Sequence, residues 1–309
     1  MKIAVVGAGA MGSIYAGLLA DAGNEVWVVD KWQDHIDAIR TNGLRVAGAS
    51  GDRVVKLQAT TEATDVGEVE LLIIATKAMH AEAAAISARP LLTPESTVLT
   101  IQNGLGSVEK VARALELESV ITGVAGGFGA SVVEPGHVHH NSMQLIRLGE
   151  ANGPITPRVE RLTKVWSSAG FNVKAFDDID QLVWEKLICN VTYSGPCTVL
   201  DWTIGTVIAN PSMWKVASGC ATEAFEVAGA LSIALSFDDP VQYVKDFGTQ
   251  MPDAVPSVLL DFRAGRKSEI EVINGAIPLM AATVDMRAPY NEAITALVLA
   301  KENAAAAGT

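Results

Sequence analysis

The sequence predicts an α/β protein in which an N-terminal doubly wound sheet is followed by an all-α C-terminal domain. Three observations predict it: Val/Ile/Leu runs alternate with helical stretches in the first half, a glycine motif follows the first run, and helical periodicity replaces strand-like runs after about Asp177. Such alternation is typical of βαβ units, whose helices cover both faces of a parallel sheet. We therefore predict domains over residues 1–178 and 179–309.

The elements of the first half follow from its apolar runs. The expected strands, each ended by glycine, asparagine or a charged residue, are KIAVV, EVWVV, VELLIIATKA and STVLTIQNG. Helices are expected from about Ser13 to Ala22 and from about Ile155 to Ala169. We also expect HVHH and MQLIRLG to be strands that pair with each other.

Helical periodicity dominates the second half, which is punctuated by prolines at Pro211, Pro240, Pro252 and Pro256. In LVWEKLICNVTYS, apolar residues recur at the spacing of a buried helix face. Lys186 and Asn190 are four residues apart, so their side chains lie one above the other on this helix. No charged residue occurs from Leu187 to Leu200, which leaves Lys186 at the edge of an uncharged stretch.

Composition excludes several classes of function. The chain has 309 residues, 49% of them hydrophobic and 19% charged, with a formal net charge of −12. Because nucleic-acid binding needs a positive surface, this balance argues against a nucleic-acid partner. No apolar run approaches the length of a membrane span, and the N-terminus lacks the features of a signal peptide. Three cysteines without metal-ligand spacing fit reduced thiols, so we expect a cytoplasmic protein.

The first strand leads into a G-x-G-x-x-G motif formed by Gly7-Ala8-Gly9-Ala10-Met11-Gly12. In a Rossmann-type domain the first glycine makes the tight turn, the second lets the backbone approach a pyrophosphate, and the third lets helix and strand pack closely. The motif alone is weak, and a purely structural turn is the alternative. Its strand–loop–helix context favours dinucleotide binding.

Asp30 ends the second strand, eighteen residues beyond Gly12. An acidic residue there is placed to bond the ribose hydroxyls of NAD. A carboxylate about 4 Å from a 2′-phosphate would be repelled by roughly 1 to 4 kcal/mol. Lys31 could offset that repulsion, and Asp30 could instead cap a turn, so the sequence favours NAD only mildly over NADP.

Further polar residues stand where ligands bind at the carboxyl edge of open α/β sheets. Thr76-Lys77 and Gln102-Asn103-Gly104 each end a predicted strand. In the helical half, Ser257 and Asp261 are four residues apart, and RKSEIEVING carries Glu269 and Asn274.

These segments together resemble the ketopantoate reductase family (2-dehydropantoate 2-reductases) over essentially the whole chain. The residues that carry the resemblance are GAGAMGS, TKA at 76–78, QNG at 102–104, GA at 129–130 before PGHVHH, WEKLICN at 184–190, PSVLLD at 256–261 and SEIEVING at 268–275. The resemblance implies a Rossmann domain, a helical domain of the 6-phosphogluconate dehydrogenase C-terminal type, and NAD(P)H-dependent reduction of a 2-keto acid, with NADP as the usual cofactor.

The resemblance also implies roles for single residues. Lys186 matches the proton donor and Glu269 the glutamate near the lysine and nicotinamide. Asn190 and Ser257 match substrate-binding positions, Asn103 matches an asparagine that touches cofactor and substrate, and Lys77 and Ala130 match cofactor-side positions. These types suit the chemistry, because hydride delivered to a ketone leaves negative charge on oxygen that a cation can protonate.

The chain departs from the family pattern at substrate positions. Ser194 stands where a second asparagine is usual one helical turn beyond Asn190, and Ile204 precedes Gly205 where an asparagine is usual. Each lost amide contact is worth about 1 kcal/mol. We therefore expect the substrate to be ketopantoate or another branched or aromatic 2-keto acid.

Other functions stay open on the sequence alone. A non-catalytic nicotinamide sensor is disfavoured by Lys186 and Glu269, and a β-hydroxyacid dehydrogenase could pair a lysine with an asparagine in the same way. HVHH is not expected to bind metal, and Cys189 is expected in the core. A homodimer is compatible with the sequence but not required by it.

Overall fold

The computed structural model describes residues 1–151 and 153–307, and the chain forms two compact units. The first unit comprises Met1–Gln102 and Ser107–Ile179. The second comprises Asn103–Gly106 together with the chain from Asp180 onward. The four residues 103–106, which the sequence places in the first domain, thus pack with the helical unit.

The described strands all belong to the first unit and form two sheets. The strands are β1 Lys2–Val6, β2 Glu25–Val29, β3 Leu44–Gly48, β4 Arg53–Val55, β5 Gln58–Thr60, β6 Leu71–Ile74, β7 Thr97–Thr100, β8 Ile121–Ala125, β9 Gly129–Glu134, β10 His137–Ser142, β11 Ile146–Glu150 and β12 Val173–Ala175. The eight-stranded sheet has the order β12-β11-β8-β7-β6-β1-β2-β5, and the four-stranded sheet has the order β4-β3-β10-β9.

The predicted parallel sheet is confirmed for the segments that define it. β7, β6, β1 and β2 are adjacent and parallel, and β6 and β7 are buried along their whole length. Alternate residues of β1 enter two different cores, Ile3 and Val5 on one face and Ala4 and Val6 on the other. A strand covered on both faces needs apolar residues at every position, which explains the unbroken runs in the sequence.

The expected pairing of HVHH with MQLIRLG is wrong. β10 pairs with β3 and β9 in the small sheet, whereas β11 pairs with β8 and β12 in the large one. Apolar alternation shows which residues are extended, but it does not show which strands are neighbours. The residues between the two runs also lack the glycine or Asn-Gly signal that a tight hairpin requires.

Twelve α-helices are described, and the second unit contains no described strand. The helices are α1 Ala10–Asp21, α2 Gln33–Asn42, α3 Ala81–Ala88, α4 Ser107–Leu115, α5 Pro157–Ser168, α6 Ile179–Leu200, α7 Ile204–Ala209, α8 Pro211–Ala230, α9 Pro240–Thr249, α10 Ser257–Arg263, α11 Ala276–Ala282 and α12 Pro289–Ala306. Pro211 and Pro240 begin α8 and α9, because proline is tolerated in the first helical turn. Within the described residues, no helix combines the length and apolar character that crossing a membrane would need.

The long helix α6 passes through Pro196 without ending. Proline has no N–H to donate to the carbonyl four residues earlier, which belongs to Thr192. Thr192 and Thr198 also donate their hydroxyls to carbonyls one turn back, those of Ile188 and Ser194. Proline and threonine of this kind bend helices, so the features predict a bend beyond the turn that carries Lys186.

Candidate active site

The glycine motif adopts the geometry that a dinucleotide loop requires. Gly7 has a φ of +102°, and a Cβ there would lie 2.5 Å from the backbone nitrogen of Thr76. A Cβ on Gly12 would lie 1.8 Å from the carbonyl oxygen of Gly7. Gly9 differs from both, because it is exposed and a Cβ would meet nothing within 4 Å. The open side of the loop is therefore at Gly9, where the backbone can approach a ligand.

The start of α1 is suited to an anion. Gly9 is its N-cap residue, no side chain caps the first turn, and the first turn contains no acidic residue. The first N–H groups of a helix have no partner within the helix, and they carry its positive dipole end. This end of α1 therefore fits the pyrophosphate of a dinucleotide.

Asp30 lies beside the glycine loop. One carboxylate oxygen accepts a hydrogen bond of 2.6 Å from the N–H of Ala8, and the other accepts one of 2.9 Å from the N–H of Trp32. The carboxylate thus ties the end of β2 to the loop and fixes a negative charge there. Lys31 next to it is exposed.

The side chain of Gln102, which follows β7, forms hydrogen bonds to the end of β6 and to the residues after it. Gln102 donates to the carbonyls of Ile74 and Thr76, at 2.7 and 3.2 Å. This amide fastens the segment that leads into Lys77, which is half-buried. Ala130 lies in β9 of the small sheet and packs against the same apolar core as Met11.

In the second unit, Lys186, Asn103 and Glu269 form a chain of hydrogen bonds. The Lys186 ammonium donates to the Asn103 amide oxygen at 2.9 Å, and the Asn103 amide nitrogen donates to a Glu269 carboxylate oxygen at 3.1 Å. Because an ammonium only donates and a carboxylate only accepts, the charges at both ends fix the orientation of the amide. Glu269 is 5% exposed, and Lys186 is half-buried.

The backbone around Asn103 is held by a 3-10 turn at Ile270–Val272. The N–H of Leu105 donates to the carbonyl of Val272 at 3.0 Å. Gly104 has a φ of +77°, and a Cβ there would lie 2.1 Å from the same carbonyl oxygen. The glycine after Asn103 is thus needed both for its backbone conformation and for this close approach.

The face of α6 beyond Lys186 carries the other predicted substrate residues. Asn190 is half-buried and Ser194 is buried, at successive four-residue steps along one face. Asn274, fully buried, donates 2.9 Å hydrogen bonds to the carbonyl of Val191 and to the side chain of Asn291. A buried amide therefore holds α6 immediately after Asn190.

The remaining candidates of the helical unit differ in burial. Ser257 is the exposed first residue of α10, whereas Asp261 is buried and pairs with Arg266 at 3.0 Å. Cys189 is buried, as expected. Burial raises the pKa of the Cys189 and Cys197 thiols to about 12.

Two histidines of HVHH contact neighbouring polar side chains. The ring of His140 is buried and lies 3.0 Å from the Ser50 hydroxyl, and that of exposed His139 lies 2.8 Å from the Asn141 side chain. Within residues 1–151 and 153–307, no three His, Cys, Asp or Glu side chains are grouped so that they could hold a metal ion.

Two family models match separate parts of the chain. The family described as Ketopantoate reductase PanE/ApbA matches residues 3–153, and its C-terminal counterpart matches residues 178–302. This chain belongs to the ketopantoate reductase family. Membership makes it an oxidoreductase that acts on a CH–OH group with a nicotinamide cofactor, and it confirms the α/β and helical fold class.

Full-length relatives agree with this assignment. The chain is 30% identical over 303 residues to the 2-dehydropantoate 2-reductase of Pyrococcus abyssi, with 98% of each chain covered. A PanE/ApbA family ketopantoate reductase from Ralstonia eutropha superposes with a TM-score of 0.90 at 29% identity, over 98% of this chain and 99% of that one. A D-mandelate dehydrogenase solved with NADH and anilino(oxo)acetate gives 0.90 at 28%, with the same coverage.

Sequence reasoning missed two contacts that hold the segments carrying the candidate residues. The sequence offered Asn274 only as a neighbour of Glu269, and it gave no sign that its side chain would reach Val191. Gln102 was visible as a polar residue at a strand end, but its two carbonyl partners come from the last residue of β6 and from the segment that follows it. Both contacts depend on tertiary packing, which residue spacing does not encode.

We predict that Gly104→Ala lowers the rate of keto acid reduction by about 10- to 100-fold, because the new Cβ pushes Asn103 away from Lys186. Gly106→Ala is the matched control: its φ is also positive, at +87°, but its Cβ would meet nothing within 4 Å. Both variants should lose about 1 kcal/mol of stability from the positive φ, and Gly104→Ala should lose more because its Cβ also collides with the Val272 carbonyl. Equal rates for the two, measured by NAD(P)H oxidation alongside thermal unfolding, would contradict the role given to Gly104.

Proposed function

We propose that this chain reduces 2-dehydropantoate (ketopantoate) to pantoate, with Lys186 as the proton donor. The observation that carries the proposal is the hydrogen-bonded chain from Lys186 through Asn103 to Glu269. Reduction of a ketone needs a hydride at carbon and a proton at oxygen. A bound reduced nicotinamide supplies the hydride, and an oriented ammonium is suited to donate the proton.

The three residues have different tasks in this proposal. Lys186 donates a proton to the alkoxide oxygen as negative charge develops there, a form of general acid catalysis worth about 10²- to 10⁴-fold. Asn103 holds the ammonium in one direction while the substrate binds. The Glu269 carboxylate fixes the Asn103 amide and contributes negative charge that balances the half-buried cation.

Substrate recognition is proposed for the neighbouring polar residues. Asn190 lies one helical turn beyond Lys186 and has the donor and acceptor groups to bind a keto oxygen or a carboxylate. Ser194 is one turn further, and Ser257 supplies a hydroxyl at the start of α10. A 2-keto acid with a terminal hydroxyl, such as ketopantoate, has polar groups at both ends for these side chains.

For the cofactor we propose NADH in preference to NADPH. The glycine loop and the uncapped start of α1 fit a pyrophosphate, and Lys77 and Ala130 are proposed to line the cofactor beyond it. Asp30 carries a fixed negative charge beside the loop. That charge can accept hydrogen bonds from ribose hydroxyls but repels a 2′-phosphate, and Lys31 is the group that could offset it.

A second candidate function is reduction of another branched or aromatic 2-keto acid. The similarity to a D-mandelate dehydrogenase solved with NADH favours it, as does the presence of Ser194 and Ile204 where asparagines are usual. Fewer amide groups in the substrate region weaken recognition of a polar substrate end. A cytoplasmic location is proposed from the reduced thiols, and a homodimer is proposed as compatible with the sequence.

Steady-state assays separate these candidates. We predict that the purified protein oxidises NADH fastest with ketopantoate. The panel also contains branched-chain 2-keto acids and an aryl 2-keto acid. A 3-hydroxy acid is tested in the reverse direction, as a substrate for oxidation by NAD⁺. A higher kcat/KM for the aryl or another branched substrate would move the assignment to the second candidate. Cofactor binding without turnover on any substrate would indicate a sensor.

We predict that Lys186→Ala lowers kcat by about 10²-fold or more and leaves NADH affinity nearly unchanged. Lys186→Arg should stay close to the alanine variant, because guanidinium keeps the charge but does not readily release a proton. Lys215→Ala, at an exposed position on α8, is the charge-matched control. Near-normal turnover of Lys186→Ala would remove the lysine from the mechanism.

Replacing Asp30 tests the cofactor assignment. Asp30→Asn should reduce the ratio of kcat/KM for NADH to that for NADPH by about tenfold, because the repulsion of the 2′-phosphate is lost. Asp238→Asn, at an exposed position in the helical unit, makes the same change in net charge and should leave the ratio unchanged. An unchanged ratio in Asp30→Asn would place Asp30 outside the ribose site.

A further inference from the structure

His35 is a fully buried histidine of α2 with a partner at each ring nitrogen. Its Nδ1 lies 3.0 Å from the backbone nitrogen of Gly136, in the turn between β9 and β10. Its Nε2 lies 3.1 Å from the hydroxyl oxygen of Ser13 in α1. That hydroxyl in turn lies 3.0 Å from the carbonyl oxygen of Ala8, inside the glycine motif.

The groups at the two ends of this hydrogen-bonded chain fix the position of every proton in it. The Gly136 N–H can only donate, so Nδ1 of His35 accepts and carries no proton. The Ala8 carbonyl can only accept, so the Ser13 hydroxyl donates to it and must accept from Nε2–H. His35 is therefore the neutral Nε2–H tautomer. Burial also lowers its pKa, against the opposing charge of Asp30, which favours the same neutral form.

Both ends of the Ala8 residue are thereby held. Its N–H donates to Asp30, and its carbonyl accepts from Ser13. Ala8 stands between Gly7, which forms the tight turn, and Gly9, whose open side faces the proposed pyrophosphate position. A loop fixed before binding loses less conformational entropy when the ligand arrives.

We propose that His35 is a positioning residue for the cofactor loop, acting through Ser13 on the Ala8 carbonyl. This rests on the proposed nicotinamide cofactor, and it assigns His35 and Ser13 a role outside the glycine motif itself. The same ring holds the turn between β9 and β10 through Gly136, and β9 carries Ala130. One histidine thus connects the loop to the hairpin that bears another cofactor-side residue.

Two variants of His35 separate positioning from packing. In His35→Gln the terminal amide nitrogen can take the place of Nε2 and still donate to Ser13. In His35→Asn the amide oxygen can take the place of Nδ1 and still accept from Gly136, but nothing reaches Ser13. Both are polar substitutions of a buried ring, so loss of packing affects them similarly.

The readout is NADH binding by titration calorimetry, with thermal unfolding in parallel. We expect His35→Asn to raise the Kd by about fivefold and His35→Gln by no more than about twofold. Ser13→Ala, which removes only the hydroxyl oxygen, should raise the Kd by about tenfold. Adding His35→Asn to Ser13→Ala should then cause no further loss, because the shared path is already broken.

Equal Kd values for the Asn and Gln variants, or an unchanged Kd in Ser13→Ala, would overturn the proposal. A different preferred keto acid would alter the proposed function without touching this result, since the measurement involves cofactor alone. A wild-type protein that binds neither NADH nor NADPH would overturn both.

Discussion

The hydrogen bond from the Lys186 ammonium to the Asn103 amide oxygen is the interaction on which the proposed chemistry depends. It gives the cation a direction, and the Glu269 carboxylate gives the amide one in turn. The rest of the helical unit supports this arrangement. The turn at Ile270–Val272 holds the backbone after Asn103, and Asn274 holds α6 at Val191. These two attachments thus help to hold the side chains of Lys186, Asn103 and Glu269 in position.

The first unit follows the same principle with different groups. There the fixed element is backbone rather than side chain, because a pyrophosphate is bound by N–H groups. Glycines permit the close approaches, and Asp30 and Ser13 secure the peptide groups between them. Preorganised donors of this kind need little rearrangement when charge arrives, which is where enzymes gain most from electrostatics.

Much of this could be predicted from the sequence, for identifiable reasons. β1 and β6 are buried on both faces and so carry runs of consecutive apolar residues, and α6 shows its buried face through its spacing. Lys186, Asn103 and Glu269 were found because they sit in recognisable segments. The pairing of β10 and the partners of Asn274 and His35 were not accessible, because they depend on which distant segments meet. The association of residues 103–106 with the helical unit has the same origin.

The buried thiols of the helical unit have a practical consequence. Only a thiolate reacts readily with alkylating reagents, and burial holds Cys189 and Cys197 as thiols far above neutral pH. Alkylation of these thiols therefore requires local opening of the helical unit. The rate of cysteine labelling in native buffer therefore measures how often the helical unit opens.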